Sequence, residues 1–261
     1  MFFAYLRRGV TAGVVAGLAF GLLLALVANP FVAFADELGH GEGHAVDHGH
    51  GHDDAAADHG HDHHGSAVSS AVTNGVSVVS GVLWGVLLGG VVFGIAFSLL
   101  EPAIPGVGAT KSYVLAAAGF VTVSGAPWLV LPPVPPGAEQ ALPPDTRLVV
   151  YGGMMVAGGL VCLLAGVAYE RLRAARGRGA GAVAALLSLS VLAVPVLLSP
   201  VPSGGSSLPS DLATGLTGMV VFGQALLWVL LAGTHARLHR RSMDGRATGD
   251  ATARADPVGA D

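Results

Sequence analysis

Residues 75–100 read GVSVVSGVLWGVLLGGVVFGIAFSLL, twenty-six positions without a single charged side chain. A helix needs about 20 predominantly apolar residues to cross the roughly 30 Å hydrocarbon core of a bilayer. This stretch is long enough, and it has no polar face to turn toward water. Five further stretches read the same way, near 9–29, 112–131, 148–169, 180–199 and 213–233, again without charge. Of 261 residues, 52% are hydrophobic and 11% charged, whereas soluble domains average about 25% charged. A soluble fold would need six helices buried on every side. The sequence therefore predicts an all-α integral membrane protein, with six transmembrane helices in a domain over 1–234 and the lipid bilayer as its first partner.

Charge segregation orients it. The chain has 13 Lys and Arg. Arg7 and Arg8 precede the first span, and Lys111 lies between the second and third. Arg171, Arg173, Arg176 and Arg178 lie between the fourth and fifth, while Arg237, Arg240, Arg241, Arg246 and Arg254 follow the sixth. Only Arg147 falls on the other side. The positive-inside rule makes the crowded side cytoplasmic. Both termini are then inside, residues 235–261 form a basic, disordered cytoplasmic tail, and the chain is three outward-facing hairpins in the plasma membrane. Arg7-Arg8, the apolar run and Ala33-Phe34-Ala35 also imitate a signal peptide with a cleavage site. The run is longer than an ordinary signal core, so the first span is expected to stay.

Two internal patterns bear on packing. Gly9, Gly13, Gly17 and Gly21 recur every fourth residue in the first span, as do Gly81, Gly85 and Gly89 in the second. Stripes of small residues let helix backbones approach closely in lipid, so the two spans should pack tightly, on each other or on a partner subunit. The outer turns PWLVLPPVPPGAEQALPPD (127–145) and PVLLSPVPSGGSSLPSD (195–211) read as a repeat. Each ends in Pro and Asp, which suit the first turn of a helix.

The outer loop, 36–66, is where metal chemistry concentrates. His40, His44, His48, His50, His52, His59, His61, His63 and His64 stand among Asp36, Glu37, Asp47, Asp53, Asp54, Asp58 and Asp62. Neutral imidazole is the favoured nitrogen ligand for cobalt, nickel, copper and zinc. Interleaved Gly and Asp leave the segment without a core, so it should be disordered when free. Binding should be modest, and it should fail as the imidazoles protonate below pH of about 6.5. The loop reads as a metal collector.

The spans themselves offer only Asn29, Ser80, Ser98, Thr122, Ser124, Met154, Met155, Cys162, Thr217, Met219 and Gln224 as polar or sulfur groups. Carboxylates gather at helix ends instead. Asp36 and Glu37, with Asp145 and Asp211, would line an acidic outer mouth if the hairpins share an axis. Residues 106–112, GVGATKS, lack the second glycine of a phosphate-binding loop. The remaining histidines, His235 and His239, fall in the expected tail, so no catalytic constellation appears and the chain is not expected to be an enzyme. Nothing points to nucleic acid. A divalent cation entering a negative interior gains about 4.6 kcal/mol per 100 mV, so uptake needs no nucleotide.

The glycine-rich first span running into NPFVAFADE (29–37), the LPPVPPG turn (131–137) and LSPVPSGGSSLPSDLATGL (198–216), followed by Leu227-Trp228, resemble the CbtA family of cobalt transporter subunits. The resemblance implies cobalt uptake for cobalamin synthesis and a small single-span partner, CbtB. It also implies Asp36 and Glu37 as pathway residues. The chain departs from the family in its expanded histidine loop and in Arg147-Leu148-Val149, where aromatic residues often begin the fourth span. The expected function is uptake of a divalent transition metal, cobalt foremost, with no cofactor beyond that ion. Nickel or zinc as cargo, a homo-oligomer, and a non-transporting metal sensor or metallochaperone are the alternatives.

Overall fold

The computed structural model describes residues 2–34, 69–134, 142–198 and 209–255. Six helices run through them: α1 (Phe2–Phe34), α2 (Ser70–Leu100), α3 (Thr110–Val130), α4 (Pro144–Arg176), α5 (Arg178–Leu198) and α6 (Ser210–Ala255). No strand occurs among the described residues. Each helix contains a window long and apolar enough to cross a membrane. The longer ones outrun the apolar stretches: α1 and α4 have 33 residues each, about 50 Å at 1.5 Å per residue. Their ends therefore project past a hydrocarbon core of roughly 30 Å.

The glycine stripes meet each other. A Cβ at Gly81 would lie 2.6 Å from Gly21 Cα, and one at Gly85 would lie 2.6 Å from Gly17 Cα. A Cβ at Gly13 would run into the Gly85 carbonyl, and one at Gly9 into that of Gly89. Backbone touches backbone along the antiparallel α1/α2 pair, as spacing by four predicts. Beyond the stripe, the Asn29 amide donates to Asn74 Oδ1 at 2.9 Å and to Ser77 Oγ at 3.0 Å.

Two apolar cores follow. One joins α1, α2, α3 and α6 through Ala12, Ala16, Phe93, Phe97, Leu115, Trp228 and Leu231. The other joins α3, α4 and α5 through Ala126, Val130, Met154, Val161 and Leu192. Helix α6 takes α1 and α3 as its main neighbours, and α5 takes α4. The third pair in chain order, α5 and α6, is thus not a packed hairpin in the way that α1/α2 and α3/α4 are. The two hairpins that share a turn motif sit in different surroundings.

Prolines follow three of the irregular stretches among the described residues, though not the π-helical Leu87–Gly94. A proline removes one N–H and crowds the carbonyl four residues before it. Leu24–Ala28 is π-helical just before Pro30, Val121–Gly125 just before Pro127, and Ser190–Leu192 is 3₁₀ just before Pro195. The carbonyl freed by Pro127 belongs to Val123, and the Tyr151 hydroxyl on α4 donates to it. The α3/α4 contact is completed by Cys162, whose Sγ lies 3.7 Å from the Ala118 carbonyl. The cysteine is a half-buried packing residue.

Helix α6 departs from the sequence reading at its far end. Where the sequence predicts a span at 213–233 and a disordered tail from 235, α6 continues as helix to Ala255, and His235 and Ala236 are both fully buried. The reason is periodicity. Leu227, Leu231 and His235, with Trp228, Ala232 and Ala236, continue one stripe at helical spacing, so the turn after the apolar run still docks on the bundle.

Candidate functional site

The loop 36–66 lies outside the described residues, and with it all nine of its histidines and every acid from Asp36 to Asp62. Asp145 and Asp211 are described. Each is exposed in the first turn of its helix, α4 or α6. The turns 135–141 and 199–208 beside them lie outside the described residues. Antiparallel contacts put Asn29, Asn74, Asp145 and Asp211 at one end of the bundle, and Arg8, Lys111, Arg173 and Arg241 at the other.

The buried polar groups gather at the arginine end. The connection from α2 to α3 reverses in nine residues because Gly106 and Gly108 adopt φ of 109° and 50°, a region open to glycine. The GVGATKS segment is this turn. It sets Ser112, wholly buried, against His235, also wholly buried, with Oγ 2.9 Å from Nδ1. Phe93 meets the imidazole edge-on at 5.1 Å, and Phe97 lies 4.6 Å from it, centroid to centroid. The other ring nitrogen, Nε2, is buried without a hydrogen-bond partner among the described residues. A buried polar atom left unpaired costs stability of about 1–3 kcal/mol, so its presence calls for an explanation.

His239 lies one turn further along α6, its ring 6.4 Å from that of His235 and nearly parallel to it. Arg8 Nη1 is 3.1 Å from His239 Nδ1. A guanidinium only donates, so Nδ1 is the acceptor in this contact. Arg8 also lies over the Tyr5 ring at 5.4 Å. The Tyr5 hydroxyl donates to Glu101, and Lys111 Nζ donates to the Glu101 carbonyl at 2.7 Å. Four helices thus converge on one pair of imidazoles.

Two histidines at i and i+4 share a helix face, but with its Nδ1 accepting from Arg8, His239 has no second lone pair, so the ring nitrogen of this pair open to a divalent ion as placed is Nε2 of His235. Among the described residues no three His, Cys, Asp or Glu come together as a ligand set. The pair is therefore not a closed structural metal centre, which takes four ligands. Sequence reading missed it because THARLHRR looks like solvated tail; the signal was the stripe of apolar residues leading into it.

The comparisons agree with the resemblance. A family model described as "Probable cobalt transporter subunit (CbtA)" matches residues 2–240, a range that includes all six spans and both histidines. No curated protein and no solved structure matches the chain.

Proposed function

The chain belongs to the CbtA family of probable cobalt transporter subunits, and from that premise we propose that it carries a divalent transition metal, cobalt foremost, into the cell for cobalamin synthesis. The segregation of arginines supports placing the His235 end of the bundle in the cytoplasm of a plasma-membrane protein. The loop 36–66 then gathers ions outside, above an entrance to which Asp36, Glu37, Asp145 and Asp211 lend negative charge. A small single-span partner of the CbtB kind completes the transporter.

The observation that carries the reading into the membrane is His235, wholly buried with one ring nitrogen unpartnered, one turn from a second imidazole. A passing ion needs ligands that hold it weakly enough to release it. The open nitrogen of His235, with water or a transient ligand for the rest, meets that need better than a closed cage, and His239 joins it only by giving up Arg8. Imidazole donors alone do not separate cobalt from nickel or zinc.

Cells expressing the chain with a single-span partner should accumulate labelled cobalt, and collapsing the membrane potential should reduce the uptake. Accumulation equal to that of cells lacking the chain would sink the proposal. Deleting residues 38–66 should weaken uptake at low external cobalt and leave it near normal at high cobalt. His235→Gln, by contrast, should lower uptake at every concentration. If the purified protein in liposomes binds cobalt but moves none, the sensor or metallochaperone reading takes its place. Competition by nickel and zinc in the same liposomes decides the cargo.

A further inference from the structure

Arg7, Arg8 and Thr11 of α1 and Leu238, Arg241 and Ser242 of α6 line a pocket of ≈ 290 Å³ at the cytoplasmic end assigned above. Three of these six lining residues are arginines and none is acidic. The ion pair of Arg173 with Glu170 lies on α4, and the nearby Glu101 is taken by Tyr5. The two hydroxyls add no donors, because Thr11 donates to the Arg7 carbonyl and Ser242 to the His239 carbonyl. What remains is a concave cluster of cationic donors with like charges close together. Such a cluster repels itself in water and is relieved by an anion that accepts several hydrogen bonds at once.

Its depth selects the kind of anion. The uncharged run of α1 begins at Gly9, next to Arg8, and that of α6 ends two residues before His235. The pocket therefore opens where the spans leave the hydrocarbon, at the level of lipid phosphates, with Leu238 as an apolar wall. Basic pockets between transmembrane helices on the cytoplasmic side suit anionic headgroups. We propose that Arg7, Arg8 and Arg241 form a phosphate-binding site between α1 and α6, filled by the headgroup of an anionic phospholipid. The site does not depend on which metal the protein carries. Arg8 also donates to His239, so an occupant of the pocket would share a cation with the imidazole pair.

The test uses the purified full chain in neutral detergent, with phosphatidylglycerol, phosphatidylcholine or inorganic phosphate added, read by native mass spectrometry and by melting temperature. Phosphatidylglycerol should bind and stabilise the protein. Arg7→Gln and Arg241→Gln should each weaken that binding about fivefold, and the double variant about twenty-five-fold. Both side chains are exposed, and the lipid-free melting temperature checks that the variants fold. Arg171→Gln with Arg176→Gln, at the same end but on α4, should leave binding unchanged. If inorganic phosphate binds and stabilises in the same arginine-dependent way, the site stands with a soluble phosphate as its occupant. Equal binding of phosphatidylcholine, or no loss in the double variant with either phosphate source, would overturn it.

Discussion

Helices α1 and α2 and helices α4 and α5 are both antiparallel neighbours in sequence, and both pairs are rich in glycine, yet they are held differently. In the first pair eight glycines abut backbone of the facing helix, seven of them closer than 3.0 Å to a notional Cβ. In the second only Gly181 does so, where a Cβ would come within 2.8 Å of the Tyr169 carbonyl and 3.1 Å of Arg173 Cβ. Gly152, Gly153 and Gly166 of α4 have nothing within 4 Å of a notional Cβ. Helix α5 shows lipid much of its surface, with Leu197 83% and Leu198 79% exposed. Glycine content is therefore a poor guide to packing, and glycine register a good one.

Substitutions can break this contrast. Gly13→Ala should have the largest effect, because the added methyl meets the Gly85 carbonyl, which is backbone and has no rotamer to move into. We expect a loss of about 3 kcal/mol, the upper end for overpacking, read from denaturant unfolding in detergent by tryptophan fluorescence. A near-neutral result would mean that α1 and α2 are further apart than described. Tyr151→Phe comes next. It leaves the Val123 carbonyl, already deprived of its helical partner by Pro127, without a donor, and should cost about 1–2 kcal/mol. Restored stability in a Pro127→Ala background would tie the hydroxyl to the proline. Gly166→Ala should change stability by less than about 0.5 kcal/mol; a loss as large as that at Gly13 would erase the distinction between the two pairs.

What could be read from the chain alone follows the physics of each signal. Six spans were legible because a bilayer imposes length and apolarity locally, so no tertiary knowledge is needed. The α1/α2 contact was legible because spacing by four marks one helix face. Cation segregation anticipated which helix ends lie together. His235 was hidden because its burial depends on Phe93, Phe97 and Ser112, far away in sequence, and its immediate neighbours are arginines. Pro127 announced a freed carbonyl but not the tyrosine that reaches it. The acidic mouth rested on chain order, and Asp145 and Asp211 lie on helices that belong to different cores.

The glycine seam also limits where an ion can travel. Carbonyls of one helix rest against α-carbons of the other along its length, leaving no volume for a solvated cation and no side chain to replace its water. Permeation between α1 and α2 would require prising apart the most closely joined surfaces in the molecule. An ion route of the kind proposed would lie on another side of α2, where Ser112 with His235 is the wholly buried polar pair among the described residues. A structural joint would thus act as a wall and leave any conduit to its neighbours.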